Sequence, residues 1–154
     1  MTTVDPTLGG DLARAIADAP DATAAMERAV ALLKTRRPHY TWAGIYLLDG
    51  DTLVLGPYLG KPSPHTRIPL GRGICGAAAT ARATIIVDDV HSDSRYLACS
   101  LETKSEIVVP IIDPGDGTIV LGEIDIDSDQ PAAFTSDDRS LLEGVARELA
   151  VRLR

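Results

Sequence analysis

Two cysteines, a run of alternating carboxylates and two aromatic residues flanking a glycine are the side chains of this sequence best suited to chemistry. Cys75 follows the turn Gly71-Arg72-Gly73-Ile74 and opens a helical stretch. A helix N-terminus there is expected to lower the thiol pKa and favour thiolate. Cys99 lies in a long irregular segment, where a thiol can approach a ligand and move. With no paired histidine, structural zinc is not expected of these two thiols. Gly-Arg-Gly also lacks the Lys-Ser/Thr of a phosphate-binding P-loop. Toward the end of the chain Glu123, Asp125 and Asp127 alternate with Ile124 and Ile126, so on a strand the three carboxylates share one face. The pattern leaves two readings open. Either the face is solvated, or it is a site for a cationic group in which mutual repulsion keeps one carboxylic acid protonated. A metal is a third and less favoured option, since no histidine stands in the run. Trp42, Gly44 and Tyr46 likewise share a strand face, and the glycine leaves a gap between two rings. His91 accompanies Cys99 in its loop as a base or as a solvated side chain.

The elements that must position these groups are legible from periodicity and punctuation. DLARAIADA, from Gly10 to Pro20, reads as a short helix preceded by a flexible segment, residues 1–9. Asp21 is an N-cap for a second helix whose stripe is Met26, Ala29, Val30 and Leu33, with Arg36 and Arg37 in the last turn, where they complement the helix dipole. Two strand-like runs flank Asp49-Gly50, a hairpin signal. The following GKPSPHTRIPLGRG holds three prolines and is excluded as a central strand. A small-residue helix, ICGAAATARA, leads to the strand TIIV and then to the connection DDVHSDSRYLACSLETK. A connection that long in a compact domain is a candidate functional loop. SEIVVPIID and TIVLGEIDIDS form a second hairpin across Pro114-Gly115-Asp116-Gly117. Thr135 to Asp138 caps a last helix with the stripe Leu141, Leu142, Val145, Leu149 and Leu153. The expected architecture is a single α/β domain of the α+β type, residues 1–154, with a central antiparallel sheet and the N- and C-terminal helices on one face.

Composition narrows the partners. A net charge of −7 argues against nucleic acid, which needs a basic face. No apolar run approaches the roughly 20 residues of a membrane span. MTTVDPTLGG lacks the basic and apolar regions of a secretory signal, so a cytoplasmic protein without membrane partners is expected.

WAGIYLLDGDTLVLGPYLGK, RIPLGRGICGAAA, DDVH, ACS, SEIVVPI and GEIDIDS, taken together and in this order, closely resemble the GAF-fold free methionine-R-sulfoxide reductases. The resemblance runs from Trp42 to Ser128, with a compatible helix after Phe134. It implies a GAF fold and reduction of free methionine-(R)-S-oxide to methionine. It also implies no metal or other cofactor, recharging by thioredoxin, and a homodimer. Carried onto this chain, it makes Cys99 the attacking thiol and Cys75 its partner. Trp42 and Tyr46 become the enclosing aromatics, and Glu106, Asp125 and Asp127 the active-site carboxylates. In this scheme Cys99 attacks the sulfoxide sulfur and the carboxylates share the needed proton and hold the substrate ammonium. Cys75 then condenses with the Cys99 sulfenic acid. The family's further cysteine before the RIP stretch has no counterpart in Lys61-Pro62-Ser63-Pro64-His65-Thr66, which leaves Cys75 as the sole internal resolver. Leu101, Glu102, Thr103 and Lys104 are also bulkier or more charged than the small polar residues of the family. A non-catalytic GAF sensor for a small molecule and a thiol redox switch are the alternatives.

Overall fold

The computed structural model describes residues 5–97 and 102–154. Helices α1 (Leu8–Asp18) and α2 (Ala22–Arg36) precede strands β1 (Trp42–Asp49), β2 (Thr52–Leu59) and β3 (Arg67–Pro69). Helix α3 (Gly73–Ala81), strand β4 (Ile85–Val87) and a 3-10 turn, Val90–Ser92, follow, then β5 (Ser105–Ile112), β6 (Val120–Ser128) and α4 (Ser136–Leu153). The strands form one antiparallel sheet in the order β3-β2-β1-β6-β5-β4. This curled sheet with its helices is a GAF fold of the α+β class. No helix among the described residues is long and apolar enough to cross a membrane.

Alternation along the central strands divides the interior in two. Ala43, Ile45, Ile107, Val109, Ile124 and Ile126 point to one face, where α1, α2 and α4 cover them with Leu12, Ile16, Val30, Leu33, Leu142 and Leu149. Trp42, Tyr46 and Val108 point to the other, where α3 packs Ala78 and Ala79 against them. The terminal helices therefore do share a face, as the stripes predict. Their ends are specified locally: the Asp21 carboxylate accepts from the Ala24 N–H, and Thr135 and Asp138 form a reciprocal capping box. Each such cap is worth about 1 kcal/mol.

Two details differ from the sequence reading, and one alternative that it leaves open is decided. Helix α1 begins at Leu8, two residues before Gly10, and the segment ahead of it is anchored: Leu8 is fully buried, and Arg36 donates to Asp5, Thr7 and Asp11. Arg36 therefore ties the N-terminal segment to α2 in addition to sitting in its last turn. Arg37 turns inward to Asp138 at 3.7 Å, beside the Tyr40 hydroxyl that donates to the same carboxylate. Second, Arg67–Pro69 forms a strand. It is the sheet edge, the one place where a proline's missing N–H is tolerated. Third, the acidic face of β6 is not solvated, as described next.

Candidate active site

The register of three strands builds the site. On β6, Asp127 stands opposite Trp42 of β1 and Glu106 of β5; Asp125 stands opposite Gly44 and Val108; Glu123 stands opposite Tyr46 and Pro110. Neighbouring strands lie about 4.8 Å apart, so one rung carries an indole and two carboxyls side by side. Relative exposure is 0% for Glu123, 3% for Asp125 and Asp127 and 6% for Glu106, which rules out a water-facing sheet surface. Burial and the charge of neighbours push the carboxyls of Glu106, Glu123 and Asp127 well above the ordinary carboxylate range, and burial raises Asp125 as well. Glu106 contacts both Asp125 and Asp127, so the three carboxyls can hold a proton in common. Neither oxygen of Glu123, nor Oδ1 of Asp125 and Asp127, has a hydrogen-bond partner among the described residues.

Cys75 enters this cluster from the first turn of α3. Gly73 starts that turn at φ 72, a conformation only glycine adopts without strain. The Cys75 thiol donates to Asp125 Oδ2 at 3.5 Å. The expected thiolate is not what this setting favours. Burial first, then the charges of Asp125, Glu123, Glu106 and Asp127, push the thiol well above its usual pKa. The partial positive charge of a helix N-terminus is outweighed because the thiol is fully enclosed and faces anions. Cys75, Glu106 and Asp125 bring one metal-ligand atom each within 4.8 Å of one another. None of the three is an imidazole, and we assign no metal to the set.

Trp42 and Tyr46 face the cluster and do a second job. The Trp42 Nε1–H donates to the Lys61 carbonyl at 3.0 Å and the Tyr46 hydroxyl to the His65 carbonyl at 2.7 Å, which fastens the proline-rich 61–66 segment across the site. The gap expected at Gly44 is filled. The Trp42 ring folds over it and stacks on Tyr58 with centroids 5.5 Å apart, and a Cβ at Gly44 would come within 2.7 Å of Trp42 Cζ3. Lys61 Nζ reaches Glu102 Oε2 at 2.6 Å, joining this segment to the loop that precedes β5. Two small cavities flank the carboxyls. One, of about 20 Å3, is lined by residues that include Tyr46, His65, Cys75, Glu106 and Asp125; the other, of about 50 Å3, includes Trp42, Lys61, Glu102 and Asp127. Neither admits an amino acid without opening. His91 is exposed, its ring edge-on to Tyr96 and away from the acidic cluster's lining. Cys99, the expected nucleophile, lies outside the described residues, as does Leu101. The resemblance assigns Glu123 no role, although the acidic run includes it, and the sequence does not single out His65 as a site residue. The alternation on β6 signals Glu123, whereas His65 is brought in only through its backbone bond to Tyr46.

Known proteins match this architecture. A family model described as GAF domain matches residues 21–153. The free methionine-R-sulfoxide reductase of Escherichia coli is 40% identical over 119 residues, covering 77% of this chain and 70% of that protein. The chain belongs to the free methionine-R-sulfoxide reductase family. The Saccharomyces cerevisiae reductase of the same name is 45% identical over 109 residues, 69% of this chain but 59% of its own length. A solved free methionine-R-sulfoxide reductase from Neisseria meningitidis, in complex with its substrate, superposes with a TM-score of 0.89 at 34% identity over 99% of this chain and 93% of that one. Within this family the aromatic pair, the carboxyl rungs and the buried thiol all fall inside the matched span.

Proposed function

We propose that this protein reduces free methionine-(R)-S-oxide to methionine by a thiol cycle. The observation that carries the reading is the closed, acidic floor of Glu106, Asp125 and Asp127 beneath Trp42 and beside the Cys75 thiol, in a chain of this family. A sulfoxide oxygen leaves only when protonated, and burial beside two aspartates raises Glu106 so that it keeps a proton above the ordinary carboxylate range. The Cys99 thiolate attacks the sulfoxide sulfur, Glu106 protonates the oxygen, and methionine departs as Cys99 becomes a sulfenic acid. Ionised Asp125 and Asp127 hold the substrate ammonium. Trp42 and Tyr46 enclose its thioether end.

Cys75 resolves the sulfenic acid. It rests as a thiol, which protects it from oxidation. Asp125, at 3.5 Å, takes its proton as the sulfur attacks Cys99. The Cys75–Cys99 disulfide forms, and the Cys99 hydroxyl leaves as water with the proton that Asp125 took from Cys75. Thioredoxin then restores both thiols by dithiol exchange. The cycle runs on thiols and carboxyls without a prosthetic group, in the cytoplasm, in a homodimer. A peptide-bound methionine sulfoxide is excluded, since its backbone cannot enter a floor built for a free ammonium.

The test is an NADPH-coupled thioredoxin assay on free R epimer, free S epimer and a peptide-bound sulfoxide, with Cys99→Ser as the control. Turnover of the free R epimer alone, lost in Cys99→Ser, is expected. Equal rates on both epimers, or undiminished turnover in the variant, overturns the reading.

A further inference from the structure

At the end of α3 remote from Cys75 lies a cavity of about 400 Å3 that the proposed reaction does not use. Its walls are the turn after α3, the second half of β5 and the outer face of α4. Arg82, Arg139 and Arg147 line it, and Glu143 is the sole acidic lining residue. Three guanidinium groups against one carboxylate leave a formal +2 in a chain of net −7.

The carboxylate is already engaged. Glu143 Oε2 accepts from Thr84 Oγ1 at 2.6 Å and from Arg139 Nε at 3.4 Å, a seam that ties the turn after α3 to α4. Arg139, Glu143 and Arg147 are spaced by four and so lie on one helix face. The Arg82 and Arg147 guanidinium groups have no hydrogen-bond or ion-pair partner among the described residues, and Arg82 is felt only as the weakest influence on Asp116 in the β5–β6 turn. The floor is apolar. Strand β4 begins at Ile85, opposite Val108, so the stretch of β5 beyond Val108 has no strand beside it on that edge. Val109, Pro110 and Ile112 line the cavity there, together with Ala146.

Arg82 itself breaks a local rule. It ends α3 at φ 52, ψ 41, with its N–H directed to the Ala78 and Ala79 carbonyls, and is one of two non-glycine residues with positive φ among those described. Glycine meets no strain at such a helix end. This position instead carries a guanidinium at the wall of a cavity, and rule-breaking positions of this kind concentrate at functional sites.

We propose that this cavity binds a small polyanion, with its charged groups between Arg82 and Arg147 and any carbon skeleton on the apolar floor. Guanidinium forks match phosphoryl and carboxylate oxygens equally in charge and in bidentate geometry. The volume lies in the range of small-molecule sites. The site shares no residue with the acidic cluster, so the proposal and the reductase reading can fail separately.

Calorimetric titration of the full chain with pyrophosphate and with citrate, at ionic strength held constant by sodium chloride, tests it. Saturable one-to-one binding is expected. Pyrophosphate alone assigns the site to phosphoryl groups, citrate alone to polycarboxylates, and both to charge in general. Arg82→Gly and Arg147→Gln should each weaken binding ~10-fold or more, the loss of one charge-assisted bidentate contact. Arg82→Gly should meanwhile leave the melting temperature unchanged or raised, because glycine relieves the left-handed backbone. Heats that do not saturate, or affinities unchanged in both variants, overturn the proposal.

Discussion

Replacing Glu123 by glutamine tests the electrostatics of the buried cluster at a residue that the proposed cycle does not use. Glu123 is fully buried, both its oxygens lack hydrogen-bond partners among the described residues, and burial followed by the charge of Asp125 raises its carboxyl well above the usual range. A raised acid keeps its proton in the folded chain after the unfolded chain has lost it. Its effect is nil below the ordinary carboxylate range of about pH 4 and grows as pH rises toward the native value. Each retained proton costs about 1.4 kcal/mol per pH unit in that window. Glu123 therefore removes more stability with each step in pH, up to where the folded carboxyl itself ionises. Glutamine has the shape of protonated glutamate and does not titrate. The variant should match the wild type below about pH 4 and exceed it by a margin that widens by up to ~1.4 kcal/mol per pH unit, or ~3–6 °C in Tm for a chain of this length. Thermal or urea melts of both proteins at pH 5, 6 and 7 read this directly. A wild-type stability that is flat or rises over this range, or two parallel curves, would refute the reasoning.

Two further outcomes follow from the packing. Gly44→Ala should displace the Trp42 ring from its stack on Tyr58, with an overpacking cost of ~1–3 kcal/mol. Steady-state kinetics should show KM for the sulfoxide raised more than kcat is lowered, and an unchanged KM would count against Trp42 as a pocket wall. Asp138→Ala should cost ~3–5 kcal/mol in a denaturant melt, because it removes half of the α4 capping box and leaves the Arg37 charge and the Tyr40 hydroxyl buried without their partner.

Cys75 shows how a local rule loses to its surroundings. A thiol at a helix start reads as reactive because only the helix dipole is visible in sequence. Burial of the sulfur first, and then four carboxyls arriving from β5 and β6, reverse that sign, and both depend on the pairing of strands far apart in the chain. Gly44 is a parallel case. Alternation correctly places it between Trp42 and Tyr46, yet the gap it leaves is occupied by Trp42 itself, a matter of side-chain direction that spacing does not encode. Arg36 is a third, since its partners Asp5, Thr7 and Asp11 become neighbours only when α1 packs on α2.

What the sequence determined by itself is local. The period-two run Glu123-Ile124-Asp125-Ile126-Asp127 commits three carboxyls to one face, Asp21 and Thr135 start their helices, and Asp49-Gly50 closes the first hairpin. Those signals depend on neighbours within a few residues, where stereochemistry alone decides. Tertiary structure decided whether the acidic face meets water or a closed interior, which thiol state its field favours, and which arginines gather at the end of α3. Burial and field are sums over all surrounding charges and atoms, so they exist only once β1, β5, β6 and α3 have come together.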